Sequence, residues 1–266
     1  MLGFLTDYGP HTEHVGALHA VAAAIAPSAA RIDLAHDVPA GDVRWGAVLV
    51  ERLVRVMPRG SVTIAVVDPG VGTARRAIAM ETEWGRVVVG PDNGLLGLAA
   101  DRLQAVRAVE ITSEDHMRRP VSATFHGRDI FAPAAAHLVS GVPLSALGPE
   151  VDLITIERPH LPDPNTTDGQ MDALVAGVDR FGNLALWATW EQLMAAGLVA
   201  GERIWAISTS ARSRGTLGRT FADVPRGGLL AYVDSHGLVS LAVNGGSAEE
   251  RVQATAGEVV AITRQS

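Results

Sequence analysis

The chain has 266 residues, a formal net charge of -7, 47% hydrophobic residues and no cysteine. Lack of cysteine excludes a disulfide framework, thiolate catalysis and thiolate zinc sites, and the acidic balance argues against a nucleic-acid partner or a polybasic membrane anchor. All 22 residues counted as Lys or Arg are Arg, so Schiff-base chemistry on a lysine side chain is excluded as well.

Leu2–Thr6 reads as a short buried strand that carries Asp7 at its carboxyl end. Residues 13–26 place Val15, Leu18, Ala22 and Ile25 at helical spacing and stop at Pro27. Residues 30–34 read as a strand. Residues 42–57 read as an amphipathic helix with Val43, Ala47, Val50, Leu53, Val54 and Met57 on one face. The β-branched run 61–67 is a strand ending at Asp68, and 86–89 is another. A helix over 94–102, a strand over 105–111 and an Ala-rich helix over 129–140 follow. Strands alternating with helices predict an α/β domain with a mostly parallel sheet, which binds ligands beyond the carboxyl ends of its strands. Asp7 and Asp68 both sit at such ends.

The pattern changes at LPDPNTTDGQ, a Pro-, Thr- and Asp-rich boundary. Beyond it, Gln170–Val178, 203–209, Leu229–Val233, Leu238–Val243 and 258–264 read as short strands, with one helix over 190–196. The expected organisation is an N-terminal α/β domain, 1–160, and a small antiparallel β-barrel, 168–266. The start of the chain has neither a basic region nor an apolar run of signal-peptide length. Residues 15–27 contain His19 and are too short to span a bilayer, so a cytoplasmic protein is expected.

Polar clusters interrupt these apolar segments. In Thr6-Asp7-Tyr8-Gly9 the carboxylate either caps the next helix or accepts hydrogen bonds from a vicinal diol. Asp68 leads into the turn Pro69-Gly70-Val71-Gly72-Thr73-Ala74 and two arginines, Arg75 and Arg76. The glycine spacing is not that of a phosphate loop. Gly90-Pro91-Asp92-Asn93-Gly94 is turn chemistry in its own right. Thr124-Phe125-His126-Gly127-Arg128-Asp129 places a His before a helix, read either as a helix-start network or as part of a site. In the β half, Asp179-Arg180-Phe181-Gly182-Asn183, Phe221-Ala222-Asp223 and Asp234-Ser235-His236-Gly237 are polar turns. Two of the 5 Phe residues lie in them, where an exposed ring can stack on a flat base. His11, His14, His19, Asp7, Asp68, His126 and Asp129 are the residue types that hold metals, but no metal-site spacing is present and none is expected.

Together, FLTDYG, VDPGVGTARR, GPDNGLL, TFHGRDIFAPAAAHL, VDRFGNL and DSHGLVSLAVNGGSA, in that order, resemble the S-adenosyl-L-methionine hydroxide adenosyltransferases, relatives of the fluorinase and chlorinase. The resemblance implies hydrolysis of S-adenosyl-L-methionine at its C5′–S bond, giving adenosine and methionine, with no cofactor. It implies a homotrimer whose site lies between the N-terminal domain of one subunit and the C-terminal domain of the next. By motif, Asp68, Arg75 and His126 surround the water. Asp7 holds the ribose hydroxyls, and Asp179 and Ser235 hold the methionine amine and carboxylate. Asn183 contacts adenine, and Phe181 and Phe221 sandwich it. His236 stands where some relatives carry Arg, and a neutral imidazole cannot make a bidentate pair with a carboxylate. The alternative within the family is a halide-dependent adenosyltransferase making 5′-halo-5′-deoxyadenosine, which an anionic Asp68 disfavours by repelling halide. Outside that chemistry stand a non-catalytic binder of S-adenosyl-L-methionine or adenosine, and an unrelated metal-dependent hydrolase.

Overall fold

The computed structural model describes residues 1–265, which divide into two compact units, Met1–His160 and a second beginning at Leu161. The first unit contains β1 (Leu2–Thr6), α1 (Glu13–Ile25), β2 (Arg31–Ala35), α2 (Val43–Val56), β3 (Val62–Val66), β4 (Ala77–Thr82) and β5 (Val87–Pro91). It continues with α3 (Gly97–Arg102), β6 (Ala105–Glu110), α4 (Ala132–Val139) and β7 (Glu150–Val151). Its sheet runs β2-β1-β3-β5-β4-β6-β7. The expected parallel order holds for β2, β1, β3 and β5, whereas β4, β6 and β7 extend the sheet antiparallel.

From β1 the chain crosses through α1 to β2 on one side, then through α2 to β3 on the other. Right-handed crossovers in opposite directions put α1 and α2 on opposite faces of the sheet. Accordingly α1 packs with α4, and α2 with α3. The order reverses between β1 and β3, so a crevice opens where these strands end. Both strands are wholly buried and lie in register from Leu2↔Val62 to Thr6↔Val66. Asp7 follows β1 directly and Asp68 lies two residues past β3, and both line the crevice. Leu2, Phe4, Ile64 and Phe131 anchor the core beneath them.

Sequence patterning did not anticipate β4. Its run Ala-Ile-Ala-Met sits in a hairpin with β5 around Gly85, a turn signal at a positive φ of 66°. The hairpin matters because it brings the chain back into the sheet directly after Arg75 and Arg76. The intervening loop is fixed by Gly72, whose φ is 80° and whose added Cβ would lie 2.5 Å from the Ala123 carbonyl oxygen. Only a residue without a side chain fits both constraints.

The second unit contains β8 (Asn165–Thr167), β9 (Gln170–Val178), β10 (Leu184–Thr189), α5 (Trp190–Ala195), β11 (Arg203–Ile207) and β12 (Arg212–Leu217). It ends with β13 (Leu229–Val233), β14 (Leu238–Val243), α6 (Ala248–Val252) and β15 (Val259–Arg264). Strands β9 to β15 close into a barrel in the order β10-β14-β13-β12-β11-β15-β9, with β9 pairing back to β10. All its pairings are antiparallel except β12–β13. The Pro-rich boundary contributes β8, which pairs with β9. β12 also escaped sequence reading: Arg-Ser-Arg-Gly-Thr-Leu is poor in apolar residues, and its neighbours in the closed barrel supply the pairing. Among the described residues, no helix is long and apolar enough to cross a membrane.

Gly72→Ala should cost about 1–3 kcal/mol of stability from backbone strain and the carbonyl clash. Urea unfolding of both proteins measures it, and an unchanged midpoint would show that the loop relaxes freely.

Candidate active site

The crevice at the ends of β1 and β3 is a cavity of about 270 Å³ lined by Asp7, Tyr8, Asp68, Val71, Thr124, His126 and neighbouring backbone. That volume lies just below the range of whole small-molecule pockets, roughly 300–1,000 Å³. It suits part of a nucleoside-sized ligand.

Arg75 organises the cavity wall. Its Nε donates to Asp68 Oδ1 at 3.0 Å, and its Nη2 pairs with Asp68 Oδ2. Nη2 also lies 2.7 Å from His126 Nδ1. The guanidinium stacks over the Phe131 ring, 5.3 Å from its centroid. Both partners of the ion pair are nearly enclosed, with side chains 9% and 5% exposed. Arg76, next in an extended chain, points the other way. It pairs with buried Asp92 and donates to Thr155.

A guanidinium has no acceptor, so His126 Nδ1 meets it as a lone pair. The neutral ring then carries its proton on Nε2. Burial and the Arg75 charge hold the His126 pKa below the ordinary imidazole value, outweighing Asp68 and Asp129. The ring is fixed by its neighbours. A Cβ on Gly127 would lie 2.4 Å from the Tyr8 hydroxyl, so glycine there lets the phenol reach the cavity. Burial, with Asp7 and Asp68 nearby, pushes the Tyr8 pKa up, so the phenol keeps its proton. Gly127–Phe131 forms a π-helical turn leading into α4, the kind of irregularity common at functional sites.

Asp7 does not cap α1. The N-cap is Thr12, and one Asp7 oxygen accepts the Gly41 N–H at 2.8 Å. Asp129 is structural: fully buried, it accepts from Arg118, Arg128 and the Ser122 N–H, which outweigh burial and hold its pKa down. The GPDNG turn is structural too. The Asn93 amide donates to the Val67 carbonyl, bracing the residue before Asp68.

In the second unit, Asp179 and Asn183 are bonded to each other. Asp179 accepts the N–H groups of Phe181 and Asn183 at 2.8 and 2.9 Å, and the Asn183 amide at 2.8 Å. The carboxylate thus builds its own turn. Phe181 and Phe221 are exposed, as their turn positions imply. Phe221 lies 5.5 Å from the Tyr232 ring. Burial, then Asp234 and Asp179, push the Tyr232 pKa up. Ser235 sits at the tip between β13 and β14. Sequence reading missed Tyr8 as a cavity-lining residue, since an aromatic beside an apolar strand reads as core. It also missed Gly41, whose contribution is backbone alone.

The profile of the SAM hydroxide adenosyltransferase N-terminal domain matches residues 2–148, and that of the C-terminal domain matches 173–261. The chain belongs to this family. It is 47% identical over 266 residues to a Salinispora arenicola protein named (R)-S-adenosyl-L-methionine hydrolase, covering 98% of this chain and 97% of the other. A fluorinase from Actinoplanes is more distant, 25% identical over 290 residues, with 99% and 97% covered. A solved structure described as an uncharacterized conserved protein from Thermotoga maritima superposes with a TM-score of 0.92 at 34% identity, over 99% of this chain and 100% of that one.

Because Arg75 and burial depress the His126 pKa, the folded chain takes up its proton below pH ~6.5, the ordinary imidazole value. The unfolded chain binds that proton first as pH falls, so this group lowers stability progressively as the pH drops from there through the folded value. Arg75→Gln should raise the His126 pKa measured by NMR. An unchanged titration would mean that the two side chains do not meet in solution.

Proposed function

We propose that this family member hydrolyses S-adenosyl-L-methionine at the C5′–S bond, releasing adenosine and L-methionine. The observation that carries the reading is the Arg75-linked pair of Asp68 and His126, facing one cavity with Asp7. The sulfonium is already a good leaving group, so no acid is needed to expel it. The obstacle is a weak nucleophile, which must sit in line with sulfur, about 3–3.5 Å from C5′.

Asp68 accepts a hydrogen bond from that water through a lone pair Arg75 leaves open. His126, protonated on Nε2, donates to the water oxygen and turns its remaining lone pair towards C5′. This makes His126 an orienting donor rather than the base. Arg75 offsets negative charge as hydroxide character develops. The O–C5′ bond forms as the C5′–S bond breaks, sulfur keeps the electron pair, and the water proton passes to Asp68 and then to solvent. No metal or cofactor enters these steps. With Asp68 balanced by Arg75, Asp7 is the remaining formal charge among the cavity side chains, which suits a sulfonium nucleoside. Its free oxygen faces the ribose diol.

The cavity holds only part of such a substrate. The exposed rings of Phe181 and Phe221 supply stacking surface for adenine, the Asn183 carbonyl accepts its amine, and Asp179 and Ser235 receive the methionine end. We assign these roles by family motif, in a cytoplasmic homotrimer whose sites are completed by a neighbouring copy. The curated relative is named for the (R)-sulfonium epimer, and we extend that preference to this chain.

Purified protein given each epimer separately should form adenosine and methionine faster from the (R) form, at a rate independent of chloride. Formation of 5′-chloro-5′-deoxyadenosine, or binding without turnover, would refute the hydrolase. Asp68→Ala and His126→Ala should each lower kcat by about 10²-fold or more while binding persists. Asp7→Ala should chiefly raise KM, and a loss confined to kcat would contradict the diol role.

A further inference from the structure

Outside the residues that line the cavity lies a polar cluster, His19, Asp33 and His36. His19 on α1 and His36, just past β2, aim their Nε2 atoms at one oxygen of Asp33, at 2.7 and 3.0 Å. The three ligand atoms lie within 4.8 Å of one another, the one such group among the described residues. His36 is buried, and its Nε2 has no hydrogen bond beyond this ion-pair contact with Asp33. A buried ring nitrogen is poorly satisfied in that state unless a ligand fills its lone pair.

The rest of the cluster is built as a ligand set. His36 Nδ1 lies 2.8 Å from the hydroxyl of fully buried Thr6, which locks the ring with Nε2 facing Asp33. Metal-bound imidazoles are oriented in this way through their second nitrogen. The His19 ring is stacked on Phe4, with centroids 4.3 Å apart. Asp33 is about half exposed, leaving an entry path and room for water. Two ligands bound at 2.0–2.1 Å to a tetrahedral ion stand about 3.3 Å apart. The two His–Asp separations, 2.7 and 3.0 Å, are shorter than this, and the half-exposed Asp33 side chain has room to adjust.

We propose that His19, Asp33 and His36 bind one divalent transition ion, outside the reaction cavity. Two imidazoles and one carboxylate suit a zinc-class ion better than magnesium or calcium, which take oxygen ligands. None of the three residues lines the catalytic cavity, so the ion is structural. It ties α1 to the end of β2, and the tie reaches the site because the His36 carbonyl accepts the Gly9 N–H at 2.8 Å while Thr6 precedes Asp7.

The test uses the full chain after chelator treatment, titrated with Zn²⁺ by calorimetry and with Co²⁺ by visible absorption. The expected result is one ion per chain with a Kd on the order of micromolar, tetrahedral Co²⁺ bands and a higher Tm in zinc. His19→Lys preserves an ion-pair partner for Asp33 but removes a ligand, so it should weaken Zn²⁺ binding at least tenfold in a folded protein. His14→Gln, which removes a histidine elsewhere on α1, should bind as the parent does. Binding weaker than about 100 µM, or equal in His19→Lys and parent, overturns the site. Hydrolysis of S-adenosyl-L-methionine is measured separately and decides neither result.

Discussion

The site depends on a single guanidinium. Arg75 holds Asp68 through two nitrogens and touches His126 with one of the same two, while Phe131 backs its flat face. Removing one member of a buried ion pair costs about 3–5 kcal/mol, because the other charge is left without compensation. Arg75 also dictates protonation. A lone pair is all that His126 can offer it on Nδ1, so the other nitrogen must carry hydrogen. One contact thus selects a neutral imidazole donor beside an acceptor carboxylate.

The sheet supplies this geometry cheaply. Reversal of strand order between β1 and β3 opens the crevice, and the segments that leave these two strands bring Asp7 and Asp68 to it. Arg75 arrives by a different route, from a loop that leaves β3 and re-enters the sheet antiparallel as β4. His126 arrives from a π-helical turn packed under Tyr8. Glycine at 72 and 127 lets these segments approach closely enough to share one cavity. Asp129, Asp92 and Asn93 each tie neighbouring backbone in place through a hydrogen bond.

How much of this was legible depended on what carried each feature. Asp7 and Asp68 were visible because they interrupt buried β-branched runs at strand ends, where open sheets bind ligands. His126 was visible beside Gly127 and before a helix. Choosing Arg75 over Arg76 rested on family motif, since the side each faces is set by β4, a strand hidden behind a Gly-rich turn. The Gly41 N–H on Asp7 could not be read, because a backbone donor has no residue signature. Asp179 looked like a ligand for a charged group, and its carboxylate is already engaged in its own turn. His19 stood out as a possible metal ligand, but its partners come from β2 and the residue after it, and strand pairing with Phe4↔Asp33 in register helps to bring them together.

The account centres on water attacking C5′ directly. Hydrolysis of S-adenosyl-L-methionine in ¹⁸O-labelled water, followed by mass spectrometry of both products, tests this most directly. One ¹⁸O atom in the 5′-hydroxyl of adenosine and none in methionine is the predicted result. Label in the amino-acid product, or unlabelled adenosine, would mean that the bond is broken by another nucleophile, and the roles given to Asp68, Arg75 and His126 would be wrong.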